Sequence, residues 1–245
     1  MLRVSKDRRT LKENLMLASS TAFVAGATNV AGVVAFLAFT TNVTGHVATL
    51  ARHVVENNPE EMLLFLIWLL LFFTGAFTAN FLIRSAEQRS AYRANSRPVI
   101  LEALILLFVA IYGDKFYAGS ATEREIIIGA IIFAMGLQNS MVSAVSGGLI
   151  KTTHLTGLFT DLGSDVSEWL HSDPKKKGIV KHRIYVRLTV LTFYFIGGLA
   201  GGYFLDQYGF VTFYFIPLIL LTILYYDLSS IVLHRLTRIF SSRKA

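Results

Sequence analysis

Six stretches of this chain are apolar over lengths that soluble domains rarely carry, and they leave few architectures open. They run from about Leu15 to Thr40, Met62 to Ile83, Val99 to Tyr112, Ile126 to Ile150, Ile184 to Leu205 and Phe210 to Leu233. A helix needs roughly 20 mostly apolar residues to cross the ~30 Å hydrocarbon layer of a bilayer. Five stretches meet that requirement as they stand, and the third meets it when extended to Tyr117. The balance of 53% hydrophobic and 16% charged residues, with mean hydropathy +0.54, is that of a polytopic membrane protein. The first apolar run starts weakly and is long, so a retained span is expected there and not a cleaved signal peptide. The chain has no cysteine, which excludes disulfides and thiol chemistry.

The basic residues give an orientation. Lysines and arginines concentrate in the amino-terminal tail (Arg3 to Lys12), the loop after span two (Arg84 to Arg97), the loop after span four (Lys151 to Arg187) and the carboxy-terminal tail (Arg235 to Lys244). These segments hold 20 of the 23; the alternate loops hold only Arg52, Lys115 and Arg124. Cytoplasmic loops carry such an excess, so both termini are expected in the cytoplasm and the span count should be six. A net charge of +7 would suggest nucleic acid in a soluble protein, but here it follows from topology, and no nucleic-acid partner is expected. The Lys175-Lys176-Lys177 run is expected to hold its loop against anionic lipid.

The chain also repeats itself. Thr41-Asn42-Val43-Thr44-Gly45 returns 112 positions later as Thr153-His154-Leu155-Thr156-Gly157. The flanks repeat too: Gly26 and Asn29 lie 19 and 16 residues before the first glycine, Gly136 and Asn139 lie 21 and 18 before the second. The halves therefore differ by a two-residue insertion. Downstream, Thr74 to Leu82 aligns with Gly197 to Leu205. A duplicated unit of about 110 residues follows, covering approximately 13–118 and 124–234 of a single membrane domain. With three spans per unit, the second copy enters the membrane from the opposite side, which relates the halves by a pseudo-two-fold axis in the membrane plane. On this reading the first motif lies near the outer face and the second near the inner face. The expected fold class is all-α: six transmembrane helices in two inverted repeats. Each repeat has a Thr-x-x-Thr-Gly break and a short amphipathic helix after its first span.

Both motifs admit two readings. Thr41 or Asn42 can cap a following helix, and Leu155, Leu158, Phe159, Leu162, Val166 and Trp169 form an apolar stripe at helical spacing. Each motif is then either the inward-pointing amino end of a discontinuous helix, offering N–H groups to a substrate, or a capped kink before a helix lying along the surface. The amides Asn29, Gln138 and Asn139 fall near the centres of spans one and four, with Thr28, Ser140 and Ser143 as weaker companions. An amide in hydrocarbon is costly unless bonded, so these either form a midplane site or bond helices together. Substrate-binding candidates are therefore Asn29, Gln138, Asn139, Thr41, Asn42, Thr44, Gly45, Thr153, His154, Thr156 and Gly157. Glu102, Asp114, Asp206 and Asp227 lie near span ends. No catalytic constellation, metal-ligand spacing or cofactor motif is present, so no enzyme activity, metal or cofactor is expected.

These residues carry a resemblance. Gly26-Ala27-Thr28-Asn29, the Thr41 to Gly45 motif, Gly136-Leu137-Gln138-Asn139 and Thr152 to Leu162 resemble the YoaK family of small bacterial membrane proteins over nearly the whole chain. The resemblance implies a six-span protein of the bacterial cytoplasmic (inner) membrane without an agreed function. Many members carry Asp where this chain has Asn29, so a proton-coupled mechanism built on that position is in doubt here. Two functions remain open. One is a small secondary transporter or channel-like carrier for a small polar or anionic solute, as a monomer or homodimer. The other is a non-transporting module that binds membrane lipid or a partner protein.

Overall fold

The computed structural model describes residues 1–4, 8–86 and 90–242, with side chains through 229. The described residues form an all-helical protein, 85% helix without strands. Eight helices follow one another: α1 Leu11–Phe36, α2 Val43–Val55, α3 Pro59–Arg84, α4 Ala91–Lys115, α5 Ala121–Ser146, α6 Leu155–His171, α7 Pro174–Tyr208 and α8 Thr212–Ser242. A single 3-10 turn at Gly209–Val211 separates α7 from α8. Five stretches are long and apolar enough to cross a membrane, and the fifth, Pro174–Ser229, contains both α7 and most of α8. Of the basic residues that gave the orientation, Lys6, Arg89, Arg243 and Lys244 lie outside the described residues, as do the side chains of Arg235 and Arg238.

Local chemistry sets the helix ends. Thr10 and Glu13 cap α1 reciprocally, and Ser120 and Glu123 do the same for α5, 110 positions later. Each side chain satisfies an N–H that the first turn leaves free. Both helices also end alike, on a residue in the left-handed region: Leu37 (φ 57°) after α1 and Gly147 (φ 64°) after α5. The sequence put these ends four residues later because hydropathy carries on past the helix. Conversely, α7 starts ten residues before the apolar run, on Asp173 and Pro174, because its first turns are lysine-rich.

The halves interlock. α1 packs chiefly on α7, α5 on α3, and α4 on α8. α1 and α5 form the centre, with 67% of each apolar window buried against 17% for α3, whose remaining surface is left for lipid. Their close approach rests on glycine. A Cβ on Gly26 would strike the Tyr194 carbonyl, and one on Gly136 would strike the Phe72 carbonyl. In return Gly197 lies on Phe23 and Gly75 on Phe133. Without a hydrophobic force between helices in lipid, such backbone contact is a main source of association. The contacts pair Phe72 with Tyr194 and Gly75 with Gly197, one position from the register read in the sequence, where Thr74 faced Gly197. At the far side of the bundle Asp227 is fully buried and takes hydrogen bonds from the Met1 amine and the Leu2 N–H.

Candidate functional site

The chain doubles back after α1. The Asn29 carboxamide oxygen accepts from the N–H of Thr40 at 2.9 Å and of Thr41 at 3.1 Å. Asn29 is seven residues before the end of α1, or about 10 Å at 1.5 Å rise per residue. The loop therefore returns alongside the last two turns, and α2 begins at the level of Asn29. It then runs antiparallel to α3: His46 packs against Phe65 and Trp68, and His53 stacks on Phe65. Its amino end accordingly lies opposite the middle of α3, near Phe72. Asn42 caps it by accepting from Gly45 N–H at 3.0 Å. A Cβ there would push the Asn42 side chain out of its capping position.

The second half builds the same device with a looser fit. Among the described residues the Asn139 oxygen accepts only from Thr153 N–H, at 3.4 Å. His154 occupies the cap position of α6 but makes no side-chain cap hydrogen bond; its ring lies over Gly157, where a Cβ would meet it. α6 is held on α7 by Asp165, buried between Arg183 and Arg187.

The two amino ends meet at one cavity of about 630 Å³, lined by fourteen residues. They fall without remainder into seven pairs of related positions: Asn29 and Asn139, Phe39 and Lys151, Thr41 and Thr153, Asn42 and His154, Val43 and Leu155, Thr44 and Thr156, Phe72 and Tyr194. The volume is in the usual range for small-molecule sites. This corrects the placement of the motifs at opposite faces: the loops bonded to Asn29 and Asn139 carry both inward to a shared centre.

Eight of the eleven candidates line the cavity: Asn29, Asn139, Thr41, Asn42, Thr44, Thr153, His154 and Thr156. Gly45 and Gly157 sit one position deeper, beneath the cap side chains. Gln138 does not belong to it. Its Nε2 donates to the Thr21 carbonyl in the buried contact between α5 and α1, because it projects roughly 100° around the helix from Asn139. Of the weaker companions, Ser140 accepts from Asn80, and Thr28 is buried with its hydroxyl unpaired among the described residues. Of the six other wall residues, Val43 and Leu155 lie inside the two motifs, and the sequence reading missed Lys151, Phe39, Phe72 and Tyr194. Aligning the motifs two residues upstream points to the first two, whereas the last two needed the glycine contacts. The Tyr194 hydroxyl lies 3.2 Å from Thr41 Oγ1. Glu102 is fully buried away from the cavity with no hydrogen-bond partner among the described residues.

Among the described residues no group of three or more His, Cys, Asp or Glu is placed to hold a metal ion. No curated protein and no solved structure matches the chain. A family model does match, that of a protein of unknown function (DUF1275), over residues 17–226. Its match takes in both motifs, both central asparagines and every residue of the cavity wall, so the chain belongs to this family, of which the YoaK family is one.

Proposed function

We propose that the protein is a small secondary transporter or channel-like carrier whose substrate occupies the shared cavity, with no catalytic role. The observation that carries this reading is the pairing of all fourteen wall residues across the two halves. A site that straddles the relation between inverted repeats is what alternating access uses, since exchanging the conformations of the halves opens it to the other side. Two features support six spans in two inverted repeats. The stretch Pro174–Ser229 has 56 residues, enough at 1.5 Å per residue to cross a ~30 Å layer twice, and the glycine contacts recur at matching positions in both halves. α2 and α6 are then re-entrant half-helices, with both termini in the cytoplasm of a bacterial inner-membrane protein.

The test begins with thermal unfolding of purified protein against anions, sugars, amino acids and nucleobases. A ligand at 100 times its dissociation constant stabilises the folded state by about 2.7 kcal/mol. Solutes that stabilise the wild type but not Asn139→Leu are then assayed for flux in proteoliposomes. Flux that Asn139→Leu abolishes, with membrane insertion intact, is the expected result. Binding without flux, or no binding at all, would favour the module that binds lipid or a partner protein.

A further inference from the structure

The cavity wall is paired in position but not in chemistry. Three pairs break the symmetry, Phe39 with Lys151, Asn42 with His154 and Phe72 with Tyr194, and in the first two the basic member belongs to the α6 side. On the α2 side the donors are in use: Asn42 caps Gly45 N–H, and Asn29 takes the N–H groups of both Thr40 and Thr41. On the α6 side they are not. The first-turn amides of α6 have no side-chain cap. Asn139 engages one amide at 3.4 Å, and the fully buried Thr152 hydroxyl, between two wall residues, has no partner among the described residues. Asn29 is 7% exposed and lines the cavity beside Tyr194, and among the described residues only its oxygen is engaged in hydrogen bonds.

We propose that this cavity is an anion site, centred on its α6 side, with Lys151 as the counter-charge and the amino ends of α6 and α2 as the surrounding positive field. The inference rests on the cavity being a solute site and names the class of solute. A helix amino end acts as roughly half a positive charge, so the two ends and one ammonium supply about +2. No acidic residue lines the cavity, and among the described residues Lys151 has no carboxylate partner. A cation would meet only unfavourable field there, and a neutral solute would gain nothing from it. The occupant is a small oxyanion or carboxylate with one or two negative charges, free or borne on a lipid headgroup.

The experiment uses the full-length protein in detergent, in low-salt zwitterionic buffer, with thermal unfolding as readout. Sodium nitrate, acetate, phosphate and sulfate are titrated beside glucose, uracil and phosphatidylglycerol micelles. Lys151→Met and Lys151→Arg are compared with Lys175→Met, which removes one charge from the exposed first turn of α7. Lys151 is exposed, so neither substitution threatens the fold. At least one anion is expected to stabilise the wild type and Lys175→Met alike. Its apparent Kd should rise at least tenfold in Lys151→Met and less in Lys151→Arg. An unchanged anion response in Lys151→Met would overturn the proposal. A response to glucose or uracil alone overturns the anion assignment but leaves a solute carrier standing, and silence across the panel overturns both. A response to phosphatidylglycerol alone that depends on Lys151 keeps the anion chemistry, assigns it to a headgroup and removes the carrier.

Discussion

Asn29 and Asn139 are the same residue in related positions, yet they bear different loads. Asn29 holds two loop amides with short bonds, whereas Asn139 holds one at 3.4 Å. An amide left unsatisfied after burial costs about 1–3 kcal/mol. Asn29→Leu is therefore expected to destabilise the protein by about 2–4 kcal/mol and Asn139→Leu by about 1 kcal/mol, read as the difference between their unfolding midpoints. Asn29→Asp keeps the acceptor oxygen and should retain most of the stability. Equal losses in the two leucine variants would contradict the hydrogen-bond assignment. Because the chain lacks cysteine, single cysteines can be placed at 139 and, as a buried control, at 138. The first should react with a water-borne maleimide and the second should not. Protection of both would argue that no water reaches the cavity.

At the scale of the helix, the glycines separate into those that hold helices together and those that do not. Gly26 and Gly136 lie directly on backbone carbonyls of the facing helix. An added methyl forces the axes apart, and overpacking of this kind costs about 1–3 kcal/mol. Gly26→Ala and Gly136→Ala should each lower the unfolding temperature. Gly163, inside α6, has open space where a Cβ would go. Gly163→Ala should stabilise by about 0.5–1 kcal/mol through helix propensity alone. If all three variants behaved alike, the glycines would be acting through the unfolded chain and not through packing. The capping boxes at Thr10 and Ser120 emerged only with the structure, although they follow Thr-x-x-Glu and Ser-x-x-Glu, whereas the helical stripe of α6 was legible in the sequence. The start of α7 was not, because a helix that leaves the apolar layer keeps its hydrogen bonds but loses its hydropathy signal.

At the scale of the molecule, the halves differ in how tightly each loop is bonded. Under the alternating-access reading, the opposite-facing state exchanges these roles: Asn139 takes the amides of Thr152 and Thr153, and Asn29 loosens. Hydrogen exchange should find the amides of Thr40 and Thr41 more protected than those of Thr152 and Thr153. A ligand or condition that shifts the population should reverse the order. An order fixed under every condition, with solute bound, would make the asymmetry a permanent feature and the protein a one-sided receptor.

The sequence by itself determined the membrane-like helical character, the family and most of the cavity wall, and it supplied the recurring motifs. Those properties reside in composition, in residue spacing and in motifs read along one strand of chain. Only the tertiary structure decided that the two motifs face one another, that Gln138 belongs to packing and that Phe72 and Tyr194 complete the wall. Asn29 and the amides it holds are 11 and 12 residues apart, and the cavity joins positions more than 100 apart. Whether a loop continues outward or folds back depends on which amide a buried carboxamide reaches. Hydropathy does not record that choice, and periodicity along the chain cannot see it.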